Sequence, residues 1–249
     1  MIAALLLGRK GSIGFPNKNL YKILGHPLAW YVMDGAKKSK YIDKIYLSTN
    51  DERLMDIAYE NEVEVIKRPE YLCDKEALGE DAYVHGYNEI CDRIGEKPEL
   101  LVLLFCNAVT FLPSQIDEGI EVLRNNSEYD SAITVSRYNM YSPLRARRIG
   151  EDGLLHPCVS FDSFSCDQKD LNCDRDSQGN VWFADVSISV VRPSNLENID
   201  EGLLPQKWMG QKIYPIEQSG GMDVDYEWQI PQVEWWITNH LIGGKKFYL

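Results

Sequence analysis

"MIAALLLGRKGSIGFPNKN", residues 1–19, places an apolar run directly before a loop that contains three glycines, one proline and three cations. The apolar run, Ile2–Leu7, has the length and composition of a buried strand. A helical pattern of apolar residues follows from Pro27 to about Lys38. The start of the chain therefore predicts a strand, a glycine-rich loop and a helix, in that order.

The same alternation continues through the first half of the chain. Further strands are predicted at 45–47, 63–68, 98–109 and 129–138, and helices at 52–61, 81–94 and 114–126. Strands that alternate with helices of about 10–15 residues predict a parallel sheet covered on both faces. Because 249 residues with 44% hydrophobic side chains can bury a sizeable core, we predict a single α/β domain over 1–249.

The second half of the chain changes character. Residues 138–180 are rich in Ser, Asp, Asn, Cys and Gly and show little periodicity, whereas 181–193 returns to the alternation of a strand. Residues 221–237 are predicted to pass from a strand end into a helix with a proline inside it. We therefore predict that 138–180 is an insertion or an oligomerisation segment.

The net charge of −12 limits the classes of partner. Surfaces that bind nucleic acid or anionic membranes need a broad basic patch, whereas a small anionic ligand needs only a local one. No apolar run approaches the roughly 18 residues of a membrane span, and the first residues lack a basic region and a cleavage site. The six cysteines form no CxxC pair. We therefore predict a cytoplasmic protein with reduced thiols.

The glycine-rich loop has the composition of a phosphate-binding loop. Its glycines leave backbone N–H groups open to a close approach, and its cations can neutralise a polyphosphate. The residues concerned are Gly8, Arg9, Lys10, Gly11, Gly14 and Lys18. The spacing matches neither the Walker loop nor GxGxxG. A tight turn with solvated cations is the alternative that composition leaves open.

A second candidate site lies near the end of the chain, in GGMDVDYE. Asp223 and Asp225 stand two residues apart in an extended segment, so both carboxylates project to one face. One or two carboxylates together with phosphate oxygens are typical ligands of Mg²⁺. The alternative is a pair that caps the following helix and complements its dipole. A polyphosphate loop and a magnesium pair in one chain favour nucleotidyl transfer, which needs both.

Four motifs in order resemble those of the CMP-sugar synthetases, the cytidylyltransferases that include the acylneuraminate and Kdo enzymes. GRKGSIGFPNKNL, with GHPL behind it, is similar to the family's opening motif ARxGSKxxPxKN. DKIYLSTND resembles the second-strand motif VSTD, VIKRPEYL resembles VxxRPxxL, and MDVDYEWQIPQVE resembles the ending DIDTxxDxxxAE. The resemblance covers nearly the whole chain and implies a Rossmann-like nucleotidyltransferase fold.

The resemblance implies roles for individual residues. The positions that match the loop around the cytidine nucleotide and its phosphates are Arg9, Gly11, Ser12, Lys18 and Asn19. Asp223 and Asp225 match the carboxylates that hold Mg²⁺, and together with Arg9 and Lys18 they are the expected catalytic residues. YSPLR resembles HPLK and places Arg145 at the position of a substrate-binding lysine, and Arg175 falls where the family has an arginine near the substrate. The segment 138–180 then implies a homodimer.

Two departures from the family pattern concern the substrates. Ile13 stands where the family loop has a lysine or arginine, so one cation for the α-phosphate is missing unless Lys10 replaces it. LLFCNAVTF, residues 103–111, stands in place of the acylneuraminate signature LLQPTSPLR and lacks its glutamine and proline. The acceptor is expected near Cys106 and Asn107 of this stretch. These differences weaken a sialic-acid assignment more than they weaken cytidylyl transfer.

The residues and the resemblance together predict a cytidylyltransferase. It would transfer CMP from CTP to an anionic acceptor, with a nonulosonic sugar acid as the expected acceptor and pyrophosphate as the second product. Two alternatives remain open: the same transfer to a phosphonate or another non-sugar anion, and a nucleotide-binding homologue that has lost catalysis.

Overall fold

A computed structural model describes residues 1–12, 14–74, 76–163 and 171–247. Within these ranges the strands are β1 (Ile2–Leu7), β2 (Lys22–Ile23), β3 (His26–Pro27), β4 (Lys44–Thr49), β5 (Glu64–Lys67), β6 (Leu100–Phe105), β7 (Ser131–Arg137), β8 (Arg147–Ile149), β9 (Leu155–Pro157), β10 (Trp182–Val191) and β11 (Ile213–Gln218). The α-helices there are α1 (Leu28–Lys37), α2 (Glu52–Glu60), α3 (Gly79–Ile94), α4 (Pro113–Asn125), α5 (Pro193–Glu197) and α6 (Ile230–Trp236). None of these helices is both long and apolar enough to cross a membrane.

Seven strands form the central sheet in the order β11-β7-β10-β6-β1-β4-β5. Strand β1 pairs in parallel with β4 and β6, β4 with β5, and β7 with β11. Strand β10 runs antiparallel to both of its neighbours, β6 and β7. The prediction of a mainly parallel, Rossmann-like sheet is therefore confirmed, with one reversed strand.

Strand β1 lies inside the sheet, between β6 and β4, and is buried on both faces. Alternate side chains enter two separate apolar clusters, because successive residues of a strand point to opposite faces. Ile2, Ala4 and Leu6 pack with residues of α1, α2, α4 and α6, while Ala3 and Leu5 pack with residues of α3 and α5. Both faces are covered by helices, which explains why the strand is a continuous apolar run.

The chain departs from the sequence prediction in its last third. Strand β11 was not predicted, and it forms one edge of the sheet beside β7. The strand end predicted within 221–237 is instead an irregular extended segment. Helix α6 begins at Ile230, so Pro231 occupies the first turn, where its missing N–H breaks no helical hydrogen bond.

The segment 138–180 contributes a two-stranded antiparallel ribbon, β8 and β9, that is separate from the central sheet. Residues 164–170 within it lie outside the described residues. The ribbon exposes apolar side chains at Ile149, Leu154 and Leu155. The assignment of 138–180 to dimerisation stays a prediction.

We expect Gly86→Ala to lower the free energy of unfolding by about 1–3 kcal/mol, the usual cost of overpacking a core. Gly86 lies on α3 against β1, and a Cβ there would stand 2.7 Å from Cδ2 and 2.9 Å from Cδ1 of Leu5. Leu5 is fully buried, so it cannot move aside. Urea denaturation measures the loss.

Gly79→Ala is the matched control, since Gly79 is on the same helix and a Cβ there would meet only the Phe105 ring, at 3.7 Å. Its stability should remain within about 0.5 kcal/mol of the wild type. Equal stability of the two variants would contradict the close packing of α3 on β1.

Candidate active site

A cavity of about 440 Å³ opens at the carboxyl ends of β1, β5 and β6. In open α/β sheets, ligands bind beyond the carboxyl ends of the strands, where the connecting loops meet. The wall consists of Leu7, Gly8, Arg9, Ser12, Gly14, Lys18, Asn19, Arg68, Leu72, Ala77, Leu78, Gly79, Phe105, Asn107, Asp223, Asp225 and Tyr226. Residues distant in the sequence therefore share one pocket.

The glycine-rich loop is tied to the neighbouring strand β4 where it leaves β1. The backbone N–H of Gly8 donates to the carbonyl of Ser48 (3.2 Å), and that of Lys10 donates to Oδ1 of Asn50 (2.9 Å). Gly8 has no room for a side chain, because a Cβ there would lie 2.9 Å from Sγ of Cys106. The loop thus leaves the sheet along a path that only a glycine permits.

Further along, the loop lies against the segment that carries the two aspartates. A Cβ on Gly14 would stand 2.7 Å from the backbone carbonyl oxygen of Asp225 and 3.4 Å from the ring of Tyr226. Lys18 donates from Nζ to Oδ1 of Asp225 at 2.6 Å. The loop and the aspartate segment, more than 200 residues apart in sequence, are therefore in direct contact.

Arg9 and Lys18 place positive charge on the wall of the cavity. Arg9 donates from Nη1 to the carbonyl oxygens of Cys73 and Asp74, which connects the loop to the segment before α3. Lys18 reaches across to Asp225. A local pair of cations in a strongly acidic chain can attract a small polyanion without a broad basic surface.

Asp223 is the more buried of the two carboxylates, and its environment disfavours the charged form. Burial, together with the nearby Asp225 carboxylate, raises the pKa of Asp223 above its ordinary value. Asn107 partly compensates by donating from Nδ2 to Oδ2 of Asp223 at 3.5 Å. A cation held by these carboxylates would offset the repulsion from Asp225, which is the second cause of the raised pKa after burial.

The aspartate segment is held on both sides by hydrogen bonds to its backbone. Asn107 accepts from the Val224 N–H at its carbonyl and donates from Nδ2 to the Val224 carbonyl, both at 3.0 Å. Gln229 accepts at Oε1 from the N–H groups of Asp225 (2.7 Å) and Tyr226 (2.8 Å). The carboxylates therefore project from a backbone whose position is determined by several partners.

Most of the predicted site residues come together in this cavity. Those on its wall are Gly8, Arg9, Ser12, Lys18, Asn19, Asn107, Asp223 and Asp225. Lys10 and Gly11 belong to the same loop but do not line the cavity. Ile13, the substitution on which the sequence raised a question, lies outside the described residues.

Three residues predicted to bind the acceptor lie elsewhere. Cys106 is fully buried beneath the cavity rather than on its wall, because its side chain points into the core under Gly8. Arg145 lines a separate cavity of about 590 Å³, and Arg175 lines another of about 240 Å³. A single copy of the chain does not bring either arginine to the wall of the cavity that holds Asp223 and Asp225.

The pair of aspartates fits a magnesium ion by the chemistry of its donors. Mg²⁺ takes one or two protein carboxylates and completes its shell with water and substrate phosphate oxygens. Asp223 and Asp225 share one wall with the cations Arg9 and Lys18, and burial together with the Asp225 carboxylate raises the pKa of Asp223. Within the described ranges, no group of three or more His, Cys, Asp or Glu side chains is placed to hold a metal by itself.

Comparison with known proteins identifies the family. A family model described as Cytidylyltransferase matches residues 3–146, more than half of the chain. The chain belongs to the cytidylyltransferase family. The match includes the glycine-rich loop, Arg68 and Asn107 but ends before the aspartate pair.

Individual relatives of this cytidylyltransferase family member are distant. N-acylneuraminate cytidylyltransferase A of Danio rerio is 24% identical over 234 residues, which cover 93% of this chain and 50% of that protein. The 3-deoxy-manno-octulosonate cytidylyltransferase of Bdellovibrio bacteriovorus is 27% identical over 177 residues, 62% of this chain and 70% of that protein. The chain spans about half the length of the Danio rerio protein.

Two solved structures share the fold. CMP:2-keto-3-deoxy-manno-octonic acid synthetase, complexed with CTP, superposes with a TM-score of 0.66 at 14% identity, over 96% of this chain and 99% of that one. A 4-diphosphocytidyl-2C-methyl-D-erythritol synthase from Anaerococcus prevotii gives a TM-score of 0.62 at 12% identity, over 95% and 96% of the two chains. At these identities the likeness shows the fold.

Sequence reasoning did not assign a role to Arg68, a cationic residue of this wall. Arg68 is buried and donates from Nε to Oγ of Ser48 (3.1 Å) and from Nη2 to the Ser48 carbonyl (2.7 Å). Burial lowers the pKa of its guanidinium below the usual value, yet arginine retains its charge in proteins. Arg68 belongs to VIKRPEYL, which resembles the family motif VxxRPxxL, so this resemblance could have indicated that Arg68 belongs to the site.

The apolar part of the wall had no sequence signal. Leu72, Ala77 and Leu78 lie in the connection between β5 and α3, and Phe105 is the last residue of β6. Nothing in their spacing distinguishes them from ordinary loop and strand residues. Only the folded chain shows that they face the two aspartates across one cavity.

We expect Asp223→Asn to raise the unfolding midpoint of the metal-free protein at neutral pH. A carboxyl group with a raised pKa favours the folded state only while protonated. The contribution of protonated Asp223 to the free energy of unfolding is therefore lost as the pH rises from the ordinary carboxyl pKa through the raised pKa of Asp223. The neutral amide avoids this loss, and thermal unfolding in EDTA measures the difference.

The difference between variant and wild type should shrink as the pH is lowered toward about 4, where carboxyl groups approach half-protonation even in unfolded chains. Asp225→Asn provides a comparison at the more exposed carboxylate, where the loss of the Lys18 ion pair opposes any gain. A midpoint of Asp223→Asn at or below that of the wild type in EDTA would argue against a raised pKa of Asp223.

Proposed function

We propose that the chain catalyses the transfer of CMP from CTP to an anionic acceptor, with release of pyrophosphate. The observation that carries this proposal is one cavity in which Arg9 and Lys18 stand beside the carboxylates of Asp223 and Asp225. Nucleotidyl transfer needs both a polyphosphate cradle and carboxylates suited to a divalent cation. Membership of the cytidylyltransferase family supports CTP as the nucleotide.

The protein would act mainly by positioning and by neutralising charge. Arg9 and Lys18 would bind the triphosphate, and an oxygen of the acceptor would attack the α-phosphorus as the bond to the pyrophosphate oxygen breaks. Asp223 and Asp225 would hold Mg²⁺, which supplies charge neutralisation and lowers the pKa of a bound hydroxyl. Lys18 already contacts Asp225 and can exchange that contact for a phosphate oxygen.

Arg68 is suited to recognise the base. The pyrimidine edge of cytosine presents O2 and N3 as acceptors, and a guanidinium offers donors in a fixed planar fork. Arg68 lines the cavity and donates from Nε and Nη2 to Ser48, and among the described residues its Nη1 donates to no partner. We therefore assign the end of the cavity beside Arg68, Ala77 and Leu78 to the base.

The acceptor is proposed to be a nonulosonic sugar acid that reacts through its anomeric hydroxyl. The names of the relatives, which act on acylneuraminate and 3-deoxy-manno-octulosonate, support this class. Asn107 is on the cavity wall and donates to Asp223, and we assign this side of the cavity to the acceptor. Arg145 and Arg175 are proposed to reach the acceptor carboxylate from the partner subunit of a homodimer, since they line other cavities in a single chain.

A second acceptor class is favoured by Phe105. Its ring lies on the cavity wall, where the acylneuraminate signature has a polar residue, and it packs against Tyr83 and Trp208 at centroid distances of 5.4 and 6.1 Å. A ring held in this way cannot donate a hydrogen bond to a sugar hydroxyl. Phosphonates and other non-sugar anions therefore form the alternative acceptor class.

Asp225→Ala should reduce CTP-dependent pyrophosphate release by at least about a hundredfold, because loss of residues that only orient metal ligands already costs ten- to a hundredfold. The assay offers CTP and Mg²⁺ with a panel of nonulosonic acids and phosphonates. The acceptor that releases pyrophosphate identifies the class. Unchanged turnover of Asp225→Ala would disprove the metal assignment.

Asp34→Ala is the matched control for this assay. Asp34 also forms a 2.6 Å ion pair with a lysine, Lys38, but on α1 and away from the cavity wall. Its turnover should stay within about twofold of the wild type, since exposed ion pairs contribute little. CTP binding by calorimetry without turnover on any acceptor would instead favour a homologue that has lost catalysis.

We also propose a homodimer that forms through 138–180, in the cytoplasm. The ribbon of β8 and β9 exposes Ile149 and Leu155, which are cross-strand partners, at 76% and 69%. The double substitution Ile149→Glu and Leu155→Glu should weaken association at least about tenfold, because it would bury charge without a partner. Sedimentation equilibrium measures this, with the exposed Tyr59→Glu on α2 as control. A monomeric wild type would contradict the proposal.

A further inference from the structure

A buried carboxylate outside the cavity wall joins three polar groups near the aspartate segment. Asp185 is 7% exposed and lies in the bulge of β10, where the register to β7 shifts between Ala184 and Ser189. Its Oδ2 accepts from Oγ of Ser136 (2.7 Å) and Nε2 of Gln218 (2.8 Å), and its Oδ1 accepts from the N–H of Ser187 (3.2 Å). The reversed strand β10 therefore brings a charge to the carboxyl edge of the sheet.

One branch of this network ends on the backbone of Gly221. Ser136 donates its hydroxyl proton to Asp185, and the same oxygen accepts from the N–H of Gly221 at 2.9 Å. A Cβ on Gly221 would overlap the Asp185 carboxylate and the Gln218 amide, so only glycine fits here. Gly221 lies two residues before Asp223.

The other branch ends on the next residue, Met222. Oγ of Ser187 lies 3.2 Å from Oγ1 of Thr110, and both side chains are fully buried. Oγ1 of Thr110 accepts from the N–H of Met222 (2.8 Å) and donates to its carbonyl (3.1 Å). Both branches therefore lead from the two oxygens of Asp185 to adjacent residues of one loop.

The backbone donors determine the direction of these hydrogen bonds. The N–H of Gly221 can only donate, so Ser136 accepts from it and turns its own hydroxyl proton toward Asp185. A residue without an acceptor at this place would leave buried donors unpaired, which costs more than the net value of a hydrogen bond. The backbone entering Asp223 is thereby held in a single arrangement.

We propose that Asp185 is a positioning residue that orients the metal-binding aspartates Asp223 and Asp225 through Ser136 and Thr110. This role builds on the proposed function, because the metal site is part of it. Among the described residues, Asp185 does not line the cavity and is hydrogen-bonded to neither aspartate. It acts through the loop backbone, so its loss should weaken metal binding more than nucleotide binding.

The test uses the full chain with Mn²⁺ as a spectroscopic probe in the presence of CTP. Asp185→Ala should raise the dissociation constant for Mn²⁺, measured by electron paramagnetic resonance, about 10- to 100-fold, as is usual for groups that orient metal ligands. CTP binding in EDTA, measured by calorimetry, should change less than about threefold. In turnover, kcat should fall while KM for CTP stays nearly constant.

Asp130→Ala is the matched control for a purely structural effect. Asp130 accepts at Oδ2 from the N–H groups of Gln211 and Lys212, both at 2.8 Å, at the opposite ends of β7 and β11. Its substitution should lower the free energy of unfolding without changing Mn²⁺ affinity. An equal loss of Mn²⁺ affinity in Asp130→Ala and Asp185→Ala would overturn the positioning role.

Two further variants keep the test decisive if Asp185→Ala is too unstable. Ser136→Ala removes one small hydroxyl and should weaken Mn²⁺ binding in the same direction. Asp185→Asn should give an affinity between those of Asp185→Ala and the wild type, because its amide oxygen can still accept from Ser136 and Gln218, whereas its NH2 group then faces the N–H of Ser187. Wild-type affinity in both Ser136→Ala and Asp185→Ala would refute the proposal.

The outcomes also separate this role from the proposed function. If the wild type binds Mn²⁺ with CTP but turns over no acceptor, the proposed activity fails while the positioning role can still be measured. If the wild type binds no Mn²⁺ with CTP, both the metal site and the positioning role are overturned. If it binds Mn²⁺ and the Asp185 variants bind equally well, only the positioning role fails.

Discussion

The close contact between Gly14 and the backbone of Asp225 is the constraint on which the site depends. It brings the loop behind the first strand against a segment near the end of the chain, with no space for a side chain between them. The Lys18 to Asp225 ion pair at 2.6 Å crosses the same boundary. The glycine-rich loop and the aspartate segment therefore each form part of the other's environment.

Electrostatics then explains why so acidic a chain can present a site for polyanions. The cations Arg9, Lys18 and Arg68 are all on the cavity wall, while the net charge of −12 is spread over the whole chain. The same cavity includes the carboxylates of Asp223 and Asp225, whose proximity helps to raise the pKa of Asp223. Bringing two like charges together is unfavourable in the protein alone, and a divalent cation would make it favourable.

The reversal of β10 has consequences beyond the topology. In a purely parallel sheet, the first half of that strand would lie at the edge opposite the cavity. Because β10 runs antiparallel to β6 and β7, its bulge instead carries Asp185 to the edge where the aspartate segment begins. The polar network under Gly221 and Met222 is therefore a product of strand direction, and residues 221–225 meet it only after folding.

The sequence by itself determined the strand and helix alternation, the mainly parallel sheet, the loop of glycines and cations behind β1 and the spacing of the paired aspartates. These features follow from the periodicity, spacing and type of residues close together in the sequence, so they can be predicted without knowing which distant segments pack against them. The tertiary structure decided the direction of β10, the existence of β11 at the edge, the burial of Cys106 beneath the wall and the separate cavities of Arg145 and Arg175. It also brought Phe105 and Arg68 to the cavity and Asp185 beneath the loop. Strand direction, burial and contact depend on pairings between distant segments, which no local pattern specifies.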